Sequence, residues 1–567
     1  MPELSYVHGA SSTPLLCRTI GQELDRAAAR YGGNEAVVSR HQGIRLTYAE
    51  LHEAAEEAAR GLLTLGVRKG ERVGIWSPNN AEWVVVQYAT AKIGAILVNI
   101  NPAYRRHELR YVLQQSGCSV LIAARGFRQA DYVAMIDEVR PVLPALRDVV
   151  LLGEGGGGRR TSQIGGREDE RGGTRTWREL LDGAASSSLA LLRERETTLD
   201  FDDAINIQYT SGTTGFPKGA TLSHHNILNN GLFTGKRLRL SPHDRVCLPV
   251  PFYHCFGMVL GNLTFLTCGG TVVLPGEAFD PKACLEAIQA EACTAFYGVP
   301  TMFAGILDHP ELSSFNLDTL RTGIMAGAPC PVDVMRKTID QLHMDQVTIA
   351  YGMTETSPVL FQSRTDDGIT ARISTVGSVH PHVECKVVDP KTGRTVPRGT
   401  PGELCSRGYI VMLGYWDDAR ATDDAIDGAR WLHTGDLAVM NENGSVNIVG
   451  RVKDIIIRGG ENIEPCEIEN FLHTHPQIAD VQVIGVPDAT YGEQVCAWII
   501  PHEDAELTED DVREFCRGKI ATFKIPHYVR FTNAFPVTAT GKVQKFKMRE
   551  LSIEEFGLQE AAATRTA

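Results

Sequence analysis

The run Tyr209-Thr-Ser-Gly-Thr-Thr-Gly-Phe-Pro-Lys-Gly219 gathers more phosphate-binding groups than any other stretch of the chain. Gly212, Gly215 and Gly219 free the backbone to turn its N–H groups inward. Thr210, Ser211, Thr213 and Thr214 contribute hydroxyls and Lys218 a point charge. This is not a Walker loop, because Lys218 follows Pro217 and precedes Gly219 instead of standing before a Ser or Thr. Two further segments carry carboxylates. Tyr351-Gly-Met-Thr-Glu355 follows the apolar run Val347–Ala350 and joins an aromatic face to a hydroxyl and a carboxylate. Trp431-Leu-His-Thr-Gly-Asp436 ends in an aspartate of the kind that accepts hydrogen bonds from ribose.

These groups need elements to hold them. Ile205, Ile207 and Tyr209 alternate as in a strand, and Ser223 is a good N-cap for a helix through Ile227 and Leu228, so the glycine-rich run is expected between strand and helix. Upstream, a capping box Thr47-x-x-Glu50 starts a helix with an apolar stripe through Leu51, Ala55, Ala58, Leu62 and Leu65. Strand Val73–Trp76, helix Ala81–Lys92, strand Ala95–Val98, a helix from His107 to Gln115 and strand Val120–Ile122 follow. Such alternation predicts an α/β fold with mostly parallel sheets covered by helices. Tyr297–Met302 and Ile324–Pro329 read as buried strands ending in tight turns. Beyond residue 453 the pattern becomes α+β: a helix over Pro465–His473, strands at Val481–Ile484 and Val495–Ile500, and a helix started by Thr508-x-x-Asp511.

Composition narrows the function classes. A chain of 567 residues exceeds one core, so two or more domains are expected. A net charge of −13 argues against nucleic acid as partner, so anionic ligands must be held locally. Thirteen cysteines without a Cys-x-x-Cys pair fit reduced thiols in a cytoplasmic protein. The start of the chain has no signal or transit character, and the apolar window Trp83–Ile100 is broken by Lys92 and Gly94, so no membrane span is expected. Gly153-x-Gly155-x-x-Gly158 matches a dinucleotide fingerprint, but the charged, glycine-rich sequence after it supplies no helix; residues 153 to about 173 read as a mobile surface insert. His473-x-His475 lacks a third ligand at useful spacing.

The Tyr209–Gly219 run resembles the phosphate loop of the adenylate-forming superfamily, which includes acyl-CoA synthetases, luciferases and the adenylation domains of peptide synthetases. The resemblance covers essentially the whole chain and is nearest the medium-chain acyl-CoA synthetases of the family-member-two type. It is carried further by Leu4-Ser-Tyr-Val-His-Gly9, Pro401-Gly-Glu-Leu-Cys405, Ile455-Ile-Ile-Arg-Gly-Gly-Glu-Asn-Ile463 and Phe523-Lys-Ile-Pro526. It implies a large N-terminal domain (1–452) and a small mobile C-terminal domain (453–567) that hinges at Lys453.

The resemblance also implies roles for individual residues. Gly327, Ala328 and Pro329 wall the adenine site, Tyr351 with Gly352 lies against the base, Thr354 meets the α-phosphate, and Glu355 holds Mg2+. Asp436 and Arg451 contact ribose. Lys542, in the polar turn Thr538-Ala-Thr-Gly-Lys542 that composition alone would dismiss, bridges the substrate carboxylate and α-phosphate. His254, between aromatics in Pro251-Phe-Tyr-His-Cys-Phe-Gly257, gates an acyl pocket lined by Val299, Pro300, Met302 and Met325. Gly459 and Gly460 receive the pantetheine arm of coenzyme A.

The implied activity is an ATP-dependent fatty-acid CoA ligase of medium-chain preference, with ATP, Mg2+ and coenzyme A, no nucleic-acid partner, and a homodimer as a compatible assembly. Loading of a carrier protein, a luciferase-like monooxygenase and a nonenzymatic sensor are the alternatives. No carrier domain follows Lys542, and a sensor has no need of that lysine. Related animal enzymes carry a mitochondrial leader ahead of the Leu4–Gly9 match, where only three residues stand here, so a cytoplasmic location is expected.

Overall fold

The computed structural model describes residues 3–153, 173–210, 217–328, 330–458, 461–503, 505–537 and 543–563. The insert read at residues 153 to about 173 therefore lies, but for its ends, outside the described residues. The chain condenses into two compact units, one made of residues 8–384 and 406–432, the other of residues 1–7, 385–405 and 433–567.

The larger unit is α/β and holds two extended sheets. The first runs, edge to edge, Thr174–Thr176, Asp148–Leu151, Val120–Ala123, Arg72–Trp76, Ile96–Asn99, Ala204–Thr210, Lys218–Ser223 and Gly414–Tyr415. Its first six strands are parallel and the last two pairings are antiparallel. The second runs Ser378–Val379, Val359–Gln362, Gln346–Gly352, Thr322–Ala326, Ala295–Gly298, Arg245–Cys247, Thr271–Leu274, Glu35–Ser39 and Ile44–Thr47, parallel in its middle and antiparallel at both edges. Central strands such as Val120–Ala123 are buried along their whole length, as strands covered on both faces must be.

Local signals explain the helices between them. Thr47 and Glu50 form the expected capping box of Tyr48–Thr64, and Leu51, Ala55, Ala58 and Leu62 are buried. The Ala81–Ile93 helix is capped by Asn80 and ends on Gly94 at φ +68°, a left-handed turn that glycine adopts without strain. Lys92 on it is wholly buried. Its ammonium meets Asp25 at 2.6 Å, Glu196 at 2.8 Å and Glu56 at 3.4 Å, so one cation ties together four helices. Asp25 also meets His52 at 2.9 Å.

Two local expectations fail. Residues Lys218–Ser223 form a strand, not the approach to a helix: Thr210 pairs with Lys218 and Gln208 with Ala220 in a hairpin, and the helix His224–Arg237 begins only after Ser223. Ala220 and Leu222 are buried and alternate with Thr221 in the ladder, so strand pairing, which the sequence reading did not weigh, claims the residues before the cap. The strand Lys218–Ser223 thus stands between residues 211–216 and the helix N-terminus. Likewise Pro300–Leu307 is a helix rather than a turn, since proline at the first helical position brings the right φ and lacks only an N–H that would be unpaired there.

The smaller unit carries a five-stranded sheet in the order Tyr6–His8, Val383–Val388, Gly402–Gly408, Leu432–Met440 and Val446–Arg451. It also carries an α+β portion in which the long hairpin Ile478–Asp488/Gly492–Pro501 packs on the helices Pro465–Leu472 and Glu509–Cys516 through Ile468, Val483, Val495 and Val512. The capping box at Thr508 and Asp511 forms as expected. Among the described residues no helix is long and apolar enough to cross a membrane.

Candidate active site

The hairpin that flanks residues 211–216 is held from below by a line of neighbours. Gly219 accepts from the Trp416 N–H at 2.7 Å, Gln115 donates to the Trp416 carbonyl at 2.7 Å, and the Tyr209 hydroxyl bonds Gln115. A Cβ at Gly219 would lie 2.9 Å from Ile207 Cγ2, so glycine permits this close approach. Burial and its aromatic neighbourhood push the Tyr209 phenol well above its ordinary range, leaving it neutral.

Three of the expected residues meet at the hairpin's edge. Glu355 stands on a single 3-10 turn, Thr354–Thr356, and is 7% exposed. Its Oε1 accepts from the Tyr415 hydroxyl at 2.8 Å and from Thr210 Oγ1 at 3.3 Å. The Lys218 ammonium lies 5.0 Å from the centre of the Tyr415 ring. Tyr415 therefore joins the carboxylate to the lysine, by a hydrogen bond through its oxygen and by a cation–π contact through its face. Burial, then the Glu355 charge, raises its pKa far enough that it remains a donor. The carboxylate is a hard oxygen donor, and among the described residues both of its side-chain hydrogen bonds fall on Oε1, which leaves Oε2 for a cation such as Mg2+. The donor set fits that ion.

The strand Gln346–Gly352 delivers Tyr351, half-buried, to the end of the second sheet. There the register against Val359–Gln362 shifts between Tyr351 and Gly352. A Cβ at Gly352 would lie 1.8 Å from the Pro358 carbonyl oxygen, a separation that no side chain allows. Thr354 is buried and its Oγ1 lies 3.9 Å from Cys255 Sγ, which brings the segment beside the His254 loop. That loop is pinned by buried amides: Asn79 donates to the Val250 carbonyl and accepts from the Phe252 N–H, and Asn99 donates to the Tyr253 carbonyl. His254 Nδ1 accepts from the Phe256 N–H at 3.1 Å, so a neutral ring carries its proton on Nε2.

Val299 and Gly327 are neighbours: a Cβ on Gly327, whose φ is +92°, would lie 3.2 Å from Val299 Cγ1. Ala328 is exposed, whereas Pro300 and Met325 are buried and Met302 half-buried. Met325 packs in the core among Phe296, Phe303 and Met335, and Met302 lies against that cluster.

In the other unit Asp436 and Arg451 are cross-strand partners, with Arg451 Nε 3.0 Å from Asp436 Oδ1. Lys453 is exposed on the short turn Val452–Asp454. Ser211, Gly212, Thr213, Thr214, Gly215, Pro329, Gly459, Gly460 and Lys542 lie outside the described residues. Val537 and Val543, on either side of the Lys542 turn, form an antiparallel bridge. The sequence reading missed Tyr415 and Gln115. Gly414-Tyr-Trp416 is a signal only in hindsight, since nothing local ties it to a carboxylate 60 residues earlier.

The profile of the AMP-binding enzyme family matches residues 24–416, and that of the AMP-binding enzyme C-terminal domain matches residues 467–542. The chain belongs to the AMP-binding enzyme family. It is 46% identical over 544 residues to the putative acyl-CoA synthetase YngI of Bacillus subtilis, covering 96% of this chain and 99% of that one. It is 44% identical to the mitochondrial medium-chain acyl-CoA ligase ACSF2 of Danio rerio, covering 98% of this chain and 91% of the relative. Among solved structures, ATP-bound MatB from Rhodopseudomonas palustris superposes with a TM-score of 0.81 at 30% identity, covering 94% of this chain and 99% of that one. The mixed α/β architecture with a large N-terminal and a small C-terminal domain is thus that of an adenylate-forming enzyme.

Proposed function

We propose that this AMP-binding enzyme activates medium-chain fatty acids and acts in the cytoplasm, with Mg2+ held by Glu355. It is an ATP-dependent acyl-CoA synthetase that works through an acyl-adenylate. The medium-chain preference rests on the likeness to ligases named for that substrate class. The compartment rests on thirteen free thiols, which suit a reducing environment. The observation that carries the catalytic reading is the linked set Thr210, Glu355, Tyr415 and Lys218 beside residues 211–216.

In the first half-reaction a carboxylate oxygen of the fatty acid attacks the α-phosphorus of ATP, and pyrophosphate leaves. Two anions approach, so the site must supply positive charge and donors. In this reading Lys218, Thr210 and the Ser211–Gly215 run hold the departing pyrophosphate, and Thr354 meets the α-phosphate. Tyr351 and Gly352 lie on one side of the adenine, with Gly327, Ala328 and Pro329 on the other, while Asp436 and Arg451 take the ribose hydroxyls. Lys542 bridges the two reacting anions. Mg2+, when bound, supplies charge neutralisation at the phosphates. Tyr415 fixes the Glu355 carboxylate so that Oε2 is the oxygen on offer.

In the second half-reaction the sulfur of coenzyme A attacks the acyl carbonyl and AMP leaves. Gly459 and Gly460 are assigned to the pantetheine arm. His254 stands at the mouth of an acyl pocket lined by Val299, Pro300, Met302 and Met325. The domain limit is placed at Lys453, so residues 453–567 move as the smaller domain.

Lys542→Ala tests the reading. Pyrophosphate exchange should fall about 100- to 1000-fold, the loss expected for one preorganised charge donor. Thioester formation from supplied acyl-adenylate should persist. Equal loss in both half-reactions would refute the assignment, and turnover with a panel of fatty acids that peaks outside the medium-chain range would refute the substrate class.

A further inference from the structure

On the strand Gly402–Gly408, Glu403 and Cys405 are two residues apart and so project from the same face. His433, on the neighbouring strand Leu432–Met440, faces both. Its Nδ1 lies 2.8 Å from Glu403 Oε2 and 3.5 Å from Cys405 Sγ. The three ligating atoms all fall within 4.8 Å of one another. Two ligands at alternate positions of one strand and a third on the next is an arrangement that a sheet holds rigidly.

We propose that Glu403, Cys405 and His433 form a binding site for a zinc-class divalent metal ion, with thiolate, imidazole and carboxylate as ligands. In tetrahedral zinc sites, bonds of about 2.0 Å to nitrogen and about 2.3 Å to sulfur set a nitrogen–sulfur edge of about 3.5 Å. The His433–Cys405 separation already has that value. The nitrogen–oxygen edge must open by only about 0.5 Å from its present hydrogen-bonded length. The second oxygen of Glu403 is already engaged, since the Gly435 N–H donates to Oε1 at 3.1 Å, the outer-shell contact that orients a ligating carboxylate. Cys405 is buried, and His433, with its side chain 32% exposed, leaves solvent a way in for the ion and a fourth ligand. The set mixes soft sulfur with imidazole, which selects zinc or cobalt over Mg2+.

The place also favours positive charge. His433 Nδ1 and Glu403 Oε2 share a hydrogen bond of 2.8 Å with Cys405 Sγ alongside, so a proton now lies where a dication would sit. Metal binding expels that proton from Nδ1 and the thiol proton of Cys405 to solvent, leaving neutral imidazole and thiolate as donors. A comparable cluster, Asp25, His52 and Glu56, differs in one respect: the Lys92 ammonium, 2.6 Å from Asp25 and 3.4 Å from Glu56, already fills the position a metal would take.

The test uses the full-length reduced chain, stripped of metal and titrated with Co2+. One equivalent should produce a thiolate-to-cobalt charge-transfer band with intense tetrahedral ligand-field bands, and Zn2+ should displace them. Cys405→Ser, nearly isosteric, should abolish the charge-transfer band, and Glu403→Gln or His433→Gln should weaken affinity by about tenfold or more. Circular dichroism checks each fold, and the Cys405 variant alone suffices if another fails to fold. A wild-type protein without the band, or a folded Cys405→Ser protein that keeps it, overturns the proposal.

Discussion

Gly352→Ala isolates the geometry on which the proposed nucleotide site depends. An added Cβ would stand 1.8 Å from the Pro358 carbonyl oxygen, against a practical minimum of 3.0 Å, so the two backbones must separate by about 1.2 Å. The contact is with backbone, which cannot rotate away, and Pro358 O also accepts hydrogen bonds from the Met353 N–H and Thr356 Oγ1. The shift therefore passes into the segment that carries Tyr351, Thr354 and Glu355. Overpacking of this kind costs about 1–3 kcal/mol of stability, and a displacement near 1 Å at reacting groups lowers rate by about 100-fold. Pyrophosphate exchange should fall by about that factor with a lowered melting temperature. Gly428→Ala is the control, because a Cβ there meets nothing within 4 Å. Wild-type exchange in Gly352→Ala, or equal loss in both variants, would refute the argument.

Tyr415→Phe keeps the ring beside Lys218 and removes one donor to the buried Glu355 carboxylate; at about 1.5–3 kcal/mol for such a bond, adenylation should fall at least about 10-fold while thioester formation from supplied adenylate is kept. Tyr415→Leu should be worse, and half-reaction assays of the pair separate hydroxyl from ring. Lys92→Met leaves Asp25, Glu56 and Glu196 facing one another without their buried cation, so denaturant unfolding should show about 3 kcal/mol lost, partly restored when Asp25→Leu is added. His224 is fully buried, its Nδ1 accepting from the Ile20 N–H, and burial holds its pKa at about 3. An unfolded histidine titrates near its ordinary value of 6.5, so stability is full above that pH and declines by about 1.4 kcal/mol per unit as pH falls from there toward 3. Thermal melts of His224→Asn, which keeps an acceptor for Ile20, should show a shallower acid decline; parallel curves would exclude the effect.

What the sequence disclosed follows the range of the interactions involved. Capping boxes at Thr47 and Thr508 are local hydrogen bonds within four residues, so both helix starts are legible. The parallel strands are legible because burial on both faces demands continuous Val and Ile. The Lys218–Ser223 strand was lost to a true cap signal at Ser223 that says where a helix begins and nothing about what precedes it. Pro300 misled because proline serves both a turn and a helix start. At the candidate site, motif and family resemblance single out Glu355, Lys218, His254 and Asp436, but the positioning groups are invisible: Asn79 and Asn99 hold the His254 loop from 171 and 154 positions away, and Tyr415 reaches Glu355 across 60.

The same distinction explains how an acidic chain can handle polyanions. A net charge of −13 gives no general attraction for ATP, so discrimination must come from groups whose charge is fixed in direction. In the proposed site Glu355 would be an added negative charge beside the phosphates, and the proposal gives it a cation to serve. Tyr415 and Thr210 satisfy one oxygen by hydrogen bonding, and the same tyrosine's ring holds the Lys218 ammonium nearby. The carboxylate and the lysine are thus positioned by one side chain, so in the proposed site Tyr415 would couple cation binding to phosphate binding.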